Sequence, residues 1–175
     1  GLVNLRRTLT LLLLLLVAGG LLAWNFQNPE TREIRRIRQR LLSLAETASF
    51  QSQDHLLLRA AYPTRLAAYF ADPTEFDIDM GDNHLSRSMS LSTLQENATL
   101  LRNETRSSRG LTIEFLDIDV RLDPQRNSAT AHLTSKIRFV ADVDYWVQEL
   151  RLDLQRSTNH AWIVHRLQTV RTMQQ

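Results

Sequence analysis

The stretch Leu111-Thr-Ile-Glu-Phe-Leu-Asp-Ile-Asp-Val-Arg-Leu122 decides the fold class of this chain. Apolar and polar residues alternate along it, which is the pattern of a β-strand with one buried face. The first half keeps its apolar residues at odd positions, and the second half keeps them at even positions. Because such a change of parity requires an extra residue, we predict a β-bulge near Phe115–Leu116 that bends the sheet.

Further period-two segments follow this strand, and only short turns separate them. We predict strands over residues 129–139, 143–154 and 160–173. A second change of parity predicts another bulge near Gln148–Glu149. Short turns between long strands favour antiparallel pairing.

Helical patterns precede the strands. In residues 31–48 the apolar positions recur every three or four residues, as Ile34, Ile37, Leu41, Leu44 and Ala48. Residues 55–70 are apolar-rich, and Pro63 predicts that one helical turn ends there and a second helix begins. A short strand over 76–80 and a helix over 90–106 come next. Helices followed by a bent antiparallel sheet indicate an α+β domain with the helices on one face of the sheet.

The N-terminus carries a bilayer-length apolar segment. Thr8 to Pro29 is free of charged residues, and a helix of that length measures about 33 Å against a bilayer core of about 30 Å. We predict a single transmembrane anchor over residues 1–29 and a soluble domain over 30–175. The anchor residues are Leu11, Leu12, Leu13, Leu14, Leu15, Leu16, Trp24 and Phe26, the two aromatic residues lying at headgroup level. A cleavable signal peptide and a buried helix are the alternatives.

Basic residues flank this segment on both sides. Arg6 and Arg7 favour an N-terminus inside the cell, and the Arg residues after the segment compete with them under the positive-inside rule. We expect an inner-membrane, single-pass protein whose domain lies in the periplasm. The residues that we expect to contact headgroups or a partner are Arg32, Arg35, Arg36, Arg38 and Arg40.

Composition excludes several functional classes. The 21 basic and 19 acidic residues nearly balance, so the chain lacks the charge of a nucleic-acid binder. Cysteine is absent, which removes disulfides and thiolate metal sites. About 145 residues remain behind the anchor, enough for one ordinary domain with a sizeable core.

The order of elements resembles the nuclear transport factor 2-like (NTF2-like) superfamily, the curved cone of SnoaL-type cyclases and ketosteroid isomerases. The resemblance covers about residues 31–173 and is carried by Leu66–Phe70 before a strand, Asp119–Asp123 before a turn and the ending Ala161–Val164. It implies a cone of helices on a strongly bent sheet. It implies no particular activity, because the superfamily includes enzymes, binding modules and scaffolds. VirB8-like secretion subunits share the layout of a membrane helix followed by such a domain.

No catalytic signature or metal-ligand spacing is visible in the sequence. We therefore predict no catalytic residues, no metal and no cofactor. An isomerase of this fold would need a carboxylate base and an oxyanion donor in its internal pocket. Tyr69, His84 and Tyr145 are the candidate pocket residues. Asp117 and Asp119 share a strand face that we expect to be solvated.

Three functions compete on these grounds. The first is a non-enzymatic, membrane-anchored accessory or scaffold subunit of a larger membrane complex, such as bacterial respiratory, photosynthetic or secretion machinery. The second is a membrane-tethered small-ligand binder or an enzyme of the SnoaL/ketosteroid isomerase type. The third is a VirB8-like secretion subunit. The expected partners are the lipid bilayer and membrane-complex subunits, without nucleic acid.

Overall fold

The structure is a computed structural model that describes residues 28–80, 83–105 and 109–170. The chain divides into two units, one ending at Arg36 and one that begins at Ile37 and contains the folded domain. The predicted anchor residues, from Leu11 to Phe26, lie outside the described residues. Among the helices that the structure does describe, none combines the length and apolar character needed to cross a bilayer.

Helices precede most of the strands, as the sequence predicts. The elements in chain order are α1 (Pro29–Ala48), β1 (Phe50–Gln51), α2 (Leu56–Ala67), β2 (Phe70–Met80), β3 (Asn83–Met89), α3 (Leu91–Glu104), β4 (Gly110–Leu122), β5 (Ser128–Phe139), β6 (Trp146–Arg156) and β7 (Trp162–Thr169). His55 caps α2 by accepting from the Leu57 N–H, and Ser90 caps α3 by accepting from the Thr93 N–H.

The strands of the described residues form one sheet in the order β1-β4-β5-β6-β7-β2-β3. The long strands β4 to β7 pair antiparallel with their chain neighbours, as predicted. The pairing of β2 with β7 is parallel, which differs from the prediction of an entirely antiparallel sheet. Parallel pairing needs a long connection, and α3 with β4, β5 and β6 separates β2 from β7 in the chain. The result is an α+β fold with a curved sheet.

The predicted bulge in β4 is confirmed a few residues further along the strand. The register with β5 shifts between Leu116 and Asp119, and Asp117 adopts a positive φ of 51° there. The second predicted bulge, near Gln148–Glu149, is wrong, since β6 keeps one register with β5 throughout. The apparent change of parity has a simpler cause. Tyr145 precedes the strand, and Val147 lies exposed on the outer face of the sheet.

The division of residues 55–70 at Pro63 is also wrong. One continuous helix, α2, runs through the proline. Proline removes only one backbone donor, and the buried side chains Tyr62 and Ala67 hold the helix on both sides of it.

The main core lies between α1 and the inner face of the sheet. Ile37, Leu41, Leu44 and Ala48 are buried, as the three-four spacing predicts. Alternate residues of the central strands supply the other side of the core, namely Ala129, Ala131, Leu133, Leu150, Leu152, Leu154, Trp162 and Val164. Apolar side chains, all aliphatic except Trp162, therefore form this core.

Gly110 begins β4 where the strand passes close to β1. Its φ is +131°, and an added Cβ would lie 2.3 Å from the Phe50 carbonyl oxygen and 2.8 Å from the Gln51 Cα. Both contacts are with backbone, which cannot rotate away. Only glycine fits here without moving β1.

We expect Gly110→Ala to lower the free energy of unfolding by roughly 1–3 kcal/mol, through strain and loss of the β1–β4 pairing. The loss is limited because β1 has only two residues and is able to detach. Urea denaturation of the variant and faster amide exchange at Gln51 would measure it. Ser128→Ala in β5 is the control, and equal stability of the two variants would contradict the steric argument.

Candidate functional site

One cleft lies where the end of α1 meets α2, α3 and the start of β4. It has a volume of about 490 Å³. Its walls combine hydroxyl, charged and apolar side chains, among them Thr47, Ser49, Phe50, Asp54, Leu58, Tyr62, Arg65, Arg102 and Thr112. The short connection between α1 and α2 positions this mixture over one end of the sheet.

Arg102 of α3 is the central charged group of the cleft. Its side chain is only 9% exposed, and its Nη2 donates to Asp54 Oδ2 at 2.7 Å. The guanidinium also lies 4.9 Å from the Phe50 ring centroid and 5.0 Å from that of Tyr62. The two rings meet edge to face at 5.2 Å. Carboxylate and rings together compensate the cation for its removal from water.

Tyr62 is held neutral beside this cation. Burial raises the pKa of Tyr62 to about 12, and the opposing effect of the Arg102 charge is smaller. The Tyr62 hydroxyl donates to the Ala48 carbonyl oxygen at 3.1 Å. The phenol therefore ties α2 to the end of α1, and its proton is already used in that bond.

This pKa predicts how stability changes in alkali. The folded state favours the neutral phenol, so its contribution is complete below pH 10 and is lost as the pH rises towards 12. Tyr62→Phe should cost about 1 kcal/mol at pH 8, from the lost hydrogen bond. At pH 11.5 the order should reverse and the variant should be the more stable protein. Urea denaturation at both pH values measures this, with Tyr145→Phe as the control, and a constant difference would contradict the pKa.

His84 lies between two carboxylates on the β2–β3 hairpin. Its Nδ1 is 2.7 Å from Asp79 Oδ1, and its Nε2 is 3.3 Å from Asp77 Oδ1. All three side chains are at least partly exposed to solvent. The arrangement links the two hairpin strands through a surface ion pair when the imidazole is protonated.

Tyr69 is engaged with α1. Its hydroxyl is 3.1 Å from Thr47 Oγ1, and the Arg40 guanidinium lies 3.9 Å from its ring centroid. Arg40 also donates to the carbonyl oxygens of Ala68 at 2.8 Å and Trp162 at 3.3 Å. These contacts hold α1 against the end of α2 and the start of β7.

Tyr145 lies just before β6, at the opposite end of that strand from Tyr69. Lys136 Nζ is 5.4 Å from its ring centroid, and Arg138 Cζ is 4.9 Å from it. Tyr69, His84 and Tyr145 thus occupy separate elements, and none of them lines the 490 Å³ cleft. The three candidate pocket residues are not brought together by the described structure.

The Arg residues predicted for headgroup or partner contact divide between the two units. Arg38 donates to the Ile118 carbonyl oxygen at 3.0 Å, and Arg40 makes the contacts given above. Arg36 pairs with Glu33 at 2.6 Å within α1. Arg32 and Arg35 lie in the same helix, before the folded domain.

A second cleft, of about 510 Å³, is lined by residues of β4 to β7 that include Arg121, His132, Arg151 and His165. Asp153 inside it accepts from Thr130 Oγ1 and from Arg151 Nε, both at 3.1 Å. Neither cleft holds a metal-binding set, because the described residues contain no group of three or more His, Asp or Glu side chains arranged to ligate an ion.

Sequence reasoning missed Arg102 and Asp54. The usable signal was helical spacing, since Arg102 is four residues after the buried Ala98 and therefore lies on the same face of α3. A charged residue on a buried face requires a partner. Nothing in the sequence identifies Asp54 as that partner, because it is 48 residues away.

The fold is that of the NTF2-like, or cystatin-like, cone. An NTF2-like protein with a cystatin-like fold from Novosphingobium aromaticivorans aligns with a TM-score of 0.59 and 13% identity, over 85% of this chain and 86% of its own. A provisionally named scytalone dehydratase from the same organism aligns at 0.55 and 13%, over 82% and 87%. An NTF2-like protein of unknown function from Pseudomonas putida aligns at 0.58 and 12%, over 82% and 89%.

These likenesses establish the fold alone, because identities near 13% leave activity open. No family model matches the sequence, and no curated protein matches it.

Proposed function

We propose that this chain is a membrane-tethered accessory domain that acts by binding a partner rather than by catalysis. In this proposal it is a scaffold subunit of a larger complex in the inner membrane. Residues 1–29 form the anchor, and the NTF2-like domain lies in the periplasm.

The observation that carries this proposal is the state of the three ionisable groups that lie at least partly buried in the 490 Å³ cleft, whereas Glu46 and Arg65, which also line it, are exposed. Arg102 and Asp54 neutralise each other, and Tyr62 is neutral with its proton donated to a backbone oxygen. A general acid or base needs a proton that it is free to exchange near neutral pH. None of these three groups meets that requirement, which favours a binding role.

The apolar segment supports the tether. Its 22 uncharged residues match the thickness of a bilayer, and aromatic residues close it on the domain side. A tether confines the domain to a surface where it meets membrane partners at high effective concentration. An accessory subunit benefits from this confinement more than a freely diffusing enzyme does.

The subunit role is tested by extracting the tagged full chain from its native membrane in a mild detergent. We expect it to elute in an assembly with a defined mass well above that of one chain in a micelle. A reciprocal purification through the identified partner should recover the chain in a fixed ratio. Recovery of the monomer alone would count against the proposal.

The absence of cysteine allows a direct test of orientation. Gln125 lies exposed in the β4–β5 turn, so Gln125→Cys supplies a single accessible thiol. A membrane-impermeant maleimide should label it in intact cells with a permeable outer membrane. Labelling only after lysis would place the domain in the cytoplasm instead.

A second candidate function is small-ligand binding, in the manner of SnoaL-type or ketosteroid isomerase-type proteins. The observation that favours it is the cleft itself, since about 490 Å³ with a buried cation suits a small polar ligand. Small carboxylates and phenols that raise the melting temperature of the full chain would support it. Thr112→Phe, which narrows the cleft, should abolish that shift.

A VirB8-like secretion subunit is the third candidate. Only the layout of a membrane helix followed by such a domain favours it.

A further inference from the structure

Three consecutive leucines are exposed at the start of α2. Leu56 is 74% exposed, Leu57 is 75% exposed and Leu58 is 49% exposed. Single exposed leucines are common on protein surfaces and need no explanation. Successive residues of a helix point about 100° apart, so these three make the first turn of α2 apolar on several sides, and we call this segment the leucine turn.

The leucine turn borders a groove of mixed polarity between α2 and α3. Leu56, Arg59, Ala60 and Pro63 line the groove from α2, and Thr99, Arg102 and Asn103 line it from α3. Leu100 and Leu101 of α3 are also exposed. Both helices therefore expose apolar side chains.

The charged residues of α2 are all basic. From His55 to Ala71 the chain contains Arg59 and Arg65 and neither Asp nor Glu. Neither arginine side chain makes a hydrogen bond or ion pair in the described part of the chain, although the Arg59 backbone N–H donates to the His55 carbonyl oxygen. Asp54, which precedes the leucine turn, is paired with Arg102. Long arginine side chains beside exposed leucines suit the boundary between lipid headgroups and acyl chains.

The residues outside the described structure indicate which surface lies near the folded domain. Residues 1–27 contain most of the uncharged segment, and they end immediately before α1. A bilayer held there is present at high effective concentration for every exposed surface of the domain. Weak intrinsic affinity of the leucine turn is then sufficient for occupancy.

We propose that the leucine turn, Leu56–Leu58 with Arg59 and Arg65, docks onto the surface of an anionic bilayer. This inference rests on the proposed tether. The leucines enter the headgroup boundary, and the arginines contact lipid phosphates. The domain would then lie against the membrane at α2 in addition to its anchor.

The cysteine-free chain makes insertion measurable at one position. Leu57→Cys in the full chain is labelled with an environment-sensitive nitrobenzoxadiazole dye and reconstituted into vesicles of phosphatidylcholine and phosphatidylglycerol. We expect a blue-shifted emission, a several-fold rise in intensity and quenching by nitroxide-labelled lipid. The matched control is Gln125→Cys in the β4–β5 turn, which should keep the emission of a dye in water.

Charge variants test the basic part of the surface. Arg59→Gln with Arg65→Gln should weaken the dye response in anionic vesicles several-fold and should bring it close to the response in pure phosphatidylcholine. Arg87→Gln, on exposed strand β3, is the matched control and should leave the response unchanged. An equal response of both variants would contradict the role of the two arginines.

Flotation of the same vesicles distinguishes failure of the docking surface from failure of the tether. If the chain floats but the dye at position 57 keeps the same water-like emission as the dye at position 125, the docking surface is overturned and the tether stands. A dye that is shielded without quenching by nitroxide lipid is covered by a second copy or by another segment of the chain, which also overturns it. A chain that does not float refutes the tether and the docking surface together.

Discussion

Leu152→Ala is expected to lower the free energy of unfolding by about 3–5 kcal/mol, because it opens a cavity at the centre of the main core. Leu152 is 0% exposed in β6 and is paired with Ala131 and Leu167 on the neighbouring strands. The small alanine opposite it cannot expand to fill the space. Urea denaturation followed by far-ultraviolet circular dichroism measures the loss.

Leu100→Ala is the matched control for this substitution. Leu100 is 55% exposed on α3, so its truncation should change stability by only about 0.5 kcal/mol. Similar losses for the two variants would mean that the space between α1 and the sheet is loosely packed. A loosely packed interior would support a ligand-binding pocket inside the cone.

Arg102→Ala is expected to cost about 2–4 kcal/mol, which is large for a charged residue. The substitution leaves the Asp54 carboxylate without its cation and removes the guanidinium from the Phe50 and Tyr62 rings. The Arg102 charge lowers the pKa of Tyr62, so its removal should raise that pKa further. Chemical denaturation at pH 8 measures the stability, and absorbance at 295 nm follows the phenol.

Asp54→Asn in the Arg102→Ala background shows whether the unpaired carboxylate causes the loss. The double variant should be more stable than Arg102→Ala alone, because an amide is less costly to leave unpaired than a charge. Arg87→Ala on exposed β3 is the control for removing an arginine and should change stability little. If Arg102→Ala matched Arg87→Ala, the buried cluster would have no structural importance.

The sheet was predictable from residues 111–122 because burial of one face imposes a period of two on the sequence. The bulge in β4 was predictable for the same reason, since an extra residue reverses the parity. The same argument failed in β6. There Val147 is apolar but exposed, so the sequence pattern alone wrongly assigns it to the buried face. Only the pairing with the neighbouring strand shows which face it occupies. The parallel contact of β2 with β7 joins distant parts of the chain and has no local signal.

The candidate site was much less predictable than the fold. The candidate pocket residues Tyr69, His84 and Tyr145 each interact with their own local neighbours. The Arg102–Asp54 pair depends on a contact across 48 residues, which hydrophobic patterns do not encode. The shift in the pKa of Tyr62 depends on burial by several elements and is equally invisible in sequence.

The fold and the cleft together narrow the proposed function. The apolar core between α1 and the sheet, and the Arg102–Asp54 pair in the 490 Å³ cleft, favour recognition by surface in the proposed function. The leucine turn is the most prominent apolar surface on the helices of the described chain. In the proposed function, such a surface suits a structural role at the membrane.

Alkaline carbonate extraction of native membranes, followed by flotation, tests the tether most directly. Carbonate releases proteins held only by charge or by weak surface contact, whereas a transmembrane helix stays in the bilayer. We expect the full chain to remain in the membrane pellet and to float with the lipid. Release of the full chain into the carbonate supernatant would contradict it.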